Sequence, residues 1–244
     1  MKPRIAIPIP TSTDATYNQR SWPAYAAAVE RSGGEPVEIP LKATPTQIAN
    51  LINTCQAVLL PGSPADSARE NVDELLIQDA HNLYKPILAI CFGLQSLNVW
   101  RGGTLVQHLN ILPVNHPAGK AVAIAHTAAI APDSLLGTII PPEEAPPQDG
   151  FLRLPINSSH HQAIGIPGDG LRVSARCPQD AVIEAVEGGQ ATEGAEAHFV
   201  LGVQWHPERS YDISLASQAI FSRFIAEATA WTPRPIHTSV ATSS

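Results

Sequence analysis

Cys91 directly follows the apolar run 87–90. A cysteine in such a place is more often a small buried residue than a nucleophile. Segment 89–93, however, resembles a nucleophile elbow, the sharp turn that lifts a reactive atom above a sheet edge, with Ala89 where the first glycine is usual. Residues 94–101 can form a helix, so Cys91 would lie at a helix N-terminus, where the dipole and free N–H groups favour the thiolate. The sequence therefore predicts a reactive thiol.

A thiol nucleophile needs a general base that a third group holds in one tautomer. His206 and Glu208, on either side of Pro207, supply both groups. In an extended backbone, side chains two residues apart project to the same side, so Glu208 could hold one ring nitrogen while the other faces Cys91. Pro207 restricts the backbone and marks the end of a strand. The spacing alone leaves open an unrelated surface pair.

Histidines can indicate a metal site where their spacing lets several of them converge. His160 and His161 are adjacent, so in an extended chain they point in opposite directions, and no third ligand is spaced to join them. We expect both in the wall of the pocket. His108, His116 and His126 also lack the spacing of metal ligands and are expected to be structural or to line a rim. The sequence thus predicts no metal site.

The elements that must position these residues alternate in the first half of the chain. Apolar runs separated by helical patterns predict a parallel sheet. The predicted strands are 4–9, 37–40, 57–60 and 87–90, and the predicted helices cover 22–29, 45–52, 70–83 and 94–101.

The second half changes to short apolar runs separated by Gly, Pro and Asp, which is typical of antiparallel strands. These strands are predicted at 121–125, 171–175, 181–186 and 198–205, with a loop over 139–150 and a final amphipathic helix over 213–228. The length suits one domain, residues 1–231, followed by a Pro, Ser and Thr rich tail, residues 232–244, which we expect to be disordered or loosely packed.

Composition excludes several classes of function. The chain has 44% hydrophobic residues and a formal net charge of -7 without a block of like charges, which argues against nucleic acid and anionic membranes as partners. Prolines interrupt the apolar start of the chain, which predicts a first strand and not a targeting signal, and no apolar run is long enough to span a membrane. Three cysteines without C-x-x-C spacing argue against a disulfide framework. We therefore expect a cytoplasmic protein.

Three motifs together resemble class I glutamine amidotransferase-like hydrolases, and most closely their γ-glutamyl-γ-aminobutyrate hydrolase branch, the C26 peptidase family. The motifs are ICFGLQ at 90–95, NSSHHQ at 157–162 and GVQWHPE at 202–208. Further similar segments, in the same order along the chain, are 32–37, 60–64, 102–105 and 182–185. The resemblance therefore covers nearly the whole chain.

The resemblance implies a flavodoxin-like α/β fold, with a mostly parallel central sheet, helices on both faces and an antiparallel extension from the second half. It implies Cys91 as nucleophile, His206 as base and Glu208 as its orienting partner. An oxyanion hole is expected from the backbone N–H groups of Gly62 and Phe92, where the glycine lets the backbone approach a substrate. The substrate-binding residues expected on this basis and from the pocket-wall argument are Gln95, Ser159, His160 and His161.

The implied reaction is hydrolysis of a γ-glutamyl amide through a thioester, without a metal or organic cofactor. The segment after Gly62 is shorter than is usual in the family, which predicts an open pocket on the side of the departing amine. One alternative is a glutaminase subunit that supplies ammonia to a synthetase. Another is a non-catalytic binding or redox-sensing protein, which would have no need of an oriented base. The expected partner is a small γ-glutamyl molecule. The sequence leaves open whether the chain forms a homodimer.

Overall fold

The structure, a computed structural model, describes residues 1–110, 113–188 and 198–233 and is organised around one large sheet. The strands are β1 (Arg4–Pro8), β2 (Glu35–Ile39), β3 (Ala57–Leu60), β4 (Ile87–Ile90), β5 (Leu105–Val106), β6 (His126–Ile130), β7 (Pro147–Gln148), β8 (Phe151–Ile156), β9 (Ala163–Ile164), β10 (Leu171–Arg176), β11 (Ile183–Gly188) and β12 (Val200–Val203). The α-helices are α1 (Ala15–Arg31), α2 (Pro45–Ile52), α3 (Ser67–Leu83), α4 (Phe92–Trp100), α5 (Leu135–Ile139) and α6 (Leu215–Ala230).

The large sheet has the strand order β2-β1-β3-β4-β12-β11-β10-β6-β8-β7. The first five strands pair in parallel, in the order typical of a flavodoxin-like sheet, and the others pair antiparallel. A separate ribbon pairs β5 with β9. The predicted α/β fold with a parallel core and an antiparallel extension is therefore confirmed.

Helices cover both faces of the parallel strands, because successive side chains of a strand point to opposite faces. In β4, Leu88 and Ile90 belong to one buried cluster with residues of α1 and α6. Ile87 and Ala89 belong to a second cluster with residues of α2, α3 and α4. No helix within the described ranges combines the length and the apolar character needed to span a membrane.

Local signals account for the helix starts. Thr44 and Gln47 form a reciprocal capping box at the start of α2. The helix α3 begins at Ser67, three residues earlier than predicted, because the carboxylate of Asp66 accepts hydrogen bonds from the free N–H groups of Ala68 and Arg69.

Two predictions for the second half are wrong. Residues 121–125 are not a strand. The strand begins at His126, because its partner β8 ends at Ile156, opposite that residue, and the N–H of Ala125 makes the last bond to Ile156. The expected loop 139–150 begins in the last residue of α5 and contains β7, which extends the sheet beyond β8. Of the predicted tail, residues 234–244 lie outside the described residues.

Gly93 should be essential for packing α4 on the sheet. A Cβ at this position would lie 2.3 Å from the backbone oxygen of Leu60 in β3, which cannot move aside. We expect Gly93→Ala to lower the free energy of unfolding by about 1–3 kcal/mol, the usual cost of overpacking, in urea denaturation. Val99→Ala, on the exposed side of the same helix, should change it by less than about 0.5 kcal/mol. Equal stability of the two variants would contradict this account.

Candidate active site

Cys91 lies in a sharp turn between β4 and α4. Its backbone has φ 53° and ψ -107°, a conformation that residues with a side chain rarely adopt. Its N–H donates to the carbonyl of Val203 at 2.8 Å, which anchors the turn to β12. The residue is the N-cap of α4, and its side chain keeps 8% of its surface exposed. The structure thus contains the elbow that the sequence predicts.

His206 and Glu208 meet in a different way from the one expected. The extended backbone predicted between them is wrong, because β12 ends at Val203 and Pro207–Arg209 forms a single 3₁₀ turn. The fixed φ of proline suits the first position of such a turn. Both side chains are nevertheless buried, and Nδ1 of His206 lies 2.8 Å from Oε1 of Glu208. A carboxylate only accepts, so Nδ1 carries the proton and Nε2 is left for chemistry.

Asn157 fixes the backbone of the histidine. Its amide nitrogen donates to the carbonyl of His206 at 2.9 Å, and its amide oxygen accepts from the N–H of His206 at 2.9 Å. The two bonds use both ends of one buried side chain, so the position of the ring follows from the 157–162 segment as well as from β12.

Charges favour a protonated histidine. Burial lowers the pKa of His206, but the carboxylate of Glu208 and the adjacent Cys91 outweigh it and raise that pKa to about 9. Burial raises the pKa of Glu208, yet His206 and Arg209 bring it below its usual range. The ring beside Cys91 is therefore positively charged below about pH 9.

Arg209 contacts Nε2 of His206, the ring nitrogen that Glu208 leaves free. Its Nη2 lies 3.1 Å from Nε2 of His206, and its Nη1 donates to Oγ of Ser159 at 2.7 Å. A guanidinium only donates, so this contact requires a neutral ring with a lone pair on Nε2. The raised pKa of His206 favours the opposite state. A protonated His206 and the contact from Arg209 to its Nε2 cannot coexist. Arg209 is the group able to move, because its side chain is long and only partly buried.

Gly62 lies close to both Cys91 and His206. A Cβ here would be 2.7 Å from Cε1 of His206 and 3.4 Å from Cβ of Cys91, so glycine is required by close approach. Its N–H donates to the buried hydroxyl of Tyr25 at 3.0 Å and is therefore occupied in this state. Phe92, the other expected oxyanion donor, is the first residue of α4, where a helical N–H has no acceptor in its own helix.

A cavity of about 350 Å³ brings the expected substrate-binding residues together with Cys91 and His206. Its lining includes Cys91, Phe92, Gln95, Ser159, His160, His161 and His206. The amide of Gln95 is buried and donates to the carbonyl of Gln162 and to Oε1 of Gln204. The structure thus places all four of these residues at the cavity; what they bind stays a prediction.

Sequence reasoning missed three residues at this cavity, Tyr17, Lys120 and Arg209. Nζ of Lys120 lies 4.5 Å from the centre of the Tyr17 ring, so the cavity contains a second cation besides Arg209. Arg209 directly follows the His-Pro-Glu motif, which was a signal that could have been used. For Lys120, an isolated lysine in a loop, the sequence contains no such signal.

A larger cavity, of about 700 Å³, adjoins the first between α3 and α4. The two share Phe92, Gln95 and Gln162 in their walls. The carboxylates of Glu70 and Glu74, one helical turn apart on α3, face this larger cavity.

His160, for which the sequence spacing indicates no third ligand, lies in a group of possible metal ligands. Ligand atoms of His116, His126, His160 and Glu184 lie within 4.8 Å of one another, and all four side chains are buried. The sequence spacing hid this group because its members come from two loops and two strands. His161 does point away, as expected for a neighbour, and its exposed ring stacks on that of His108.

Comparisons with known proteins cover most of the chain. The Peptidase C26 family model matches residues 7–208. The γ-glutamyl-γ-aminobutyrate hydrolase PuuD of Escherichia coli K12 is 30% identical over 226 residues, covering 82% of this chain and 83% of that protein. Protein NtpR of Enterococcus hirae is 29% identical over 225 residues, covering 83% of this chain and 87% of that protein.

Two solved structures have the same fold. A putative GMP synthase subunit from Thermoplasma acidophilum superposes with a TM-score of 0.65 at 12% identity, covering 95% of this chain and 96% of that one. The glutaminase domain of Trypanosoma brucei CTPS, solved with acivicin bound, gives 0.62 at 15% identity, covering 95% and 97%. At these identities the likeness concerns the fold.

Cys91 should be the essential thiol. We expect iodoacetamide to modify Cys91 and to abolish activity, and Cys91→Ser to be inactive, while Cys55→Ser and Cys177→Ser stay active. The latter two thiols are fully buried, and burial raises the pKa of both, that of Cys177 to about 11. Peptide mapping of the alkylated protein, together with glutamate release from a γ-glutamyl amide, measures both effects. Activity retained in Cys91→Ser would overturn the assignment.

The ionisation of His206 should depend on Glu208. In a titration followed by NMR of the imidazole ring, we expect a midpoint near pH 9, with the protonated form below it. Glu208→Gln removes the carboxylate that raises this pKa, so its midpoint should fall toward the ordinary value of about 6.5. Since the orienting acid usually contributes least to a triad, Glu208→Gln should lose less activity than Cys91→Ser. Midpoints that coincide in the two proteins would contradict the coupling.

Proposed function

This chain belongs to the peptidase C26 family, whose model spans most of its length, and we propose that it is a cysteine-dependent hydrolase cleaving γ-glutamyl amides to glutamate and a free amine. The observation that carries the proposal is the pairing of a strained elbow cysteine, Cys91, with a buried His206–Glu208 couple in one cavity. The free state of all three cysteines suits a reaction in the cytoplasm, where thiols stay reduced.

The first half of the reaction forms a thioester. The sulfur of Cys91 attacks the γ-carbonyl carbon, and the electron pair of the C=O bond moves to the oxygen, next to the N–H of Phe92. When this pair returns, the C–N bond breaks. The imidazolium of His206 gives its Nε2 proton to the departing nitrogen, so a neutral amine leaves.

The second half returns the enzyme to its starting state. The now neutral His206 accepts a proton from water as the water oxygen attacks the thioester carbon. The C–S bond breaks, glutamate is released, and Cys91 is again a thiolate beside an imidazolium. Glu208 stays ionised throughout and only holds the ring.

The two cations of the cavity suit the glutamyl half of the substrate. Arg209 and Lys120 offer donors to an α-carboxylate, and guanidinium and carboxylate match in geometry. A carboxylate bound there would draw Arg209 away from Nε2 of His206, which is the atom that must exchange protons with the substrate. Binding of the correct substrate would thus free the base.

The amine half would extend into the larger cavity, which opens beside Phe92 and Gln95. Its size supports the prediction of a tolerant leaving-group side, and Glu70 and Glu74 favour an amine with a second positive charge. A cavity of this kind discriminates weakly between aliphatic chains, since one methylene contributes only about 1–3 kcal/mol.

The alternative is a glutaminase subunit of an amidotransferase, which uses the same residues. Two relatives of this chain carry hydrolase or amidotransferase-like names at similar identity, so the names do not decide between them. The distinction lies in the preferred substrate and in dependence on a synthetase.

The substrate preference is the decisive measurement. For the protein alone, we expect kcat/KM to be higher for γ-glutamyl-aminobutyrate and for γ-glutamyl mono- and polyamines than for glutamine. The larger cavity gives these amines contacts that ammonia cannot make. If glutamine is the best substrate, or turnover needs an added synthetase, the amidotransferase function is correct instead.

The same panel tests the role of the acidic groups on α3. Glu74→Gln should lower kcat/KM by up to about five-fold for γ-glutamyl polyamines, as expected for an exposed ion pair, and should leave γ-glutamyl-ethylamine unaffected. Gln78→Glu, one turn further along the helix and outside this cavity's lining, is the matched control. An equal loss for charged and uncharged amines would show that Glu74 acts on folding and not on the amine.

A further inference from the structure

His116, His126 and Glu184 form a buried cluster that has no part in the proposed reaction, and His160 joins this cluster from the wall of the smaller cavity. We propose that these four side chains bind one Zn²⁺ ion in a closed, structural site behind the catalytic histidine. The cluster joins the loop before β6, the first residue of β6, the 157–162 segment and β11.

In each of the three histidines, the ring nitrogen that faces away from the other ligand atoms, here called the outer nitrogen, contacts an acceptor. Nε2 of His116 lies 2.9 Å from Oδ2 of Asp180, and Nδ1 of His160 lies 2.8 Å from the carbonyl of Gln162. Nδ1 of His126 is 3.4 Å from the carbonyl of Thr127, a longer contact. Carboxylates and carbonyls accept only, so each outer nitrogen carries the proton, and a neutral ring then directs its lone pair inward.

The inward atoms lie close to one another and form no hydrogen bond within the described part of the chain. Nδ1 of His116, Nε2 of His126, Nε2 of His160 and both carboxylate oxygens of Glu184 are buried without a hydrogen-bond partner among the described residues. Three lone pairs and a carboxylate thus converge in a space closed to bulk water, an arrangement that is costly unless a cation occupies it.

The spacing suits a tetrahedral ion. Zn²⁺ binds imidazole nitrogen and carboxylate oxygen at about 2.0–2.2 Å, so neighbouring ligand atoms are separated by about 3.3–3.6 Å. Glu184 Oε1 lies 3.3 Å from Nδ1 of His116 and 3.5 Å from Nε2 of His126, and its Oε2 lies 3.9 Å from Nε2 of His160. Small side-chain movements would complete the tetrahedron.

The surroundings also resemble those of metal sites. The bond from His116 to Asp180 is the carboxylate–histidine pair that orients many metal-bound imidazoles. Four protein ligands leave no open position, which is the pattern of a structural ion. The carbonyl of His116 accepts from Oγ of Ser158 and from the N–H of His160, so the ion would brace the segment whose Asn157 holds His206.

The alternative to a zinc ion is that a proton alone neutralises the charge of the cluster, shared between Glu184 and one of the rings. Metal content distinguishes the two. The full chain, purified without a metal-binding tag, would be stripped with a chelator, reconstituted with Zn²⁺ and desalted, and zinc would be measured by mass spectrometry. We expect about one zinc per chain and a higher melting temperature than that of the stripped protein. A stripped protein that takes up no zinc and melts unchanged would overturn the proposal.

Substitutions at the proposed ligands test where the ion binds. Two such variants are used, so that the test still holds if one of them misfolds. His126→Gln and Glu184→Gln preserve side-chain size and should lose the zinc. The same change at an exposed ring, His108→Gln, should keep it. Asp180→Asn should weaken zinc affinity by about 10–100-fold in a chelator competition, as expected when an orienting partner is lost.

Cys177 tests a second grouping, in which its sulfur and Asp180 join His116. Cys177→Ser should retain the zinc if the four proposed ligands hold it. Zinc lost in Cys177→Ser and retained in Glu184→Gln would assign the ion to that other group and overturn our assignment. Cobalt in place of zinc should give the strong visible absorption of a four-coordinate ion, which Glu184→Gln should lack.

Discussion

The site depends on the pairing of β12 with β4 at the centre of the sheet. These strands come from distant parts of the chain, yet they run parallel, and the bond from the Cys91 N–H to the Val203 carbonyl extends the pairing into the elbow. A one-residue slip would turn every side chain of the strand to the other face. The position of Cys91 relative to the end of β12 is thus set by the register of the sheet, independently of the side chains of the site.

The parts of the site that could be predicted are those with local causes. The elbow is an example: an unbroken apolar strand, a cysteine and a helix pattern follow each other directly within residues 87–101. This order was enough to predict the elbow. The bounds of β3 and β4 agree with prediction because each strand is buried on both faces and flanked by clear breaks.

The parts that could not be predicted arise from contacts between distant segments. The His206–Glu208 bond was expected from their spacing, but the 3₁₀ turn that makes it depends on where β12 loses its neighbours. The buried histidine group has members up to 68 positions apart, and no spacing rule brings His116 to Glu184. The bond from the Gly62 N–H to the Tyr25 hydroxyl likewise required knowledge of how α1 lies on the sheet.

The positive φ of Cys91 implies a conflict between stability and activity. Such a conformation costs about 1–3 kcal/mol for a residue with a side chain, and glycine would adopt it freely. Cys91→Gly should therefore yield a more stable molecule that lacks the thiol on which the proposed reaction depends. At this backbone position, selection for stability alone would favour the loss of the cysteine.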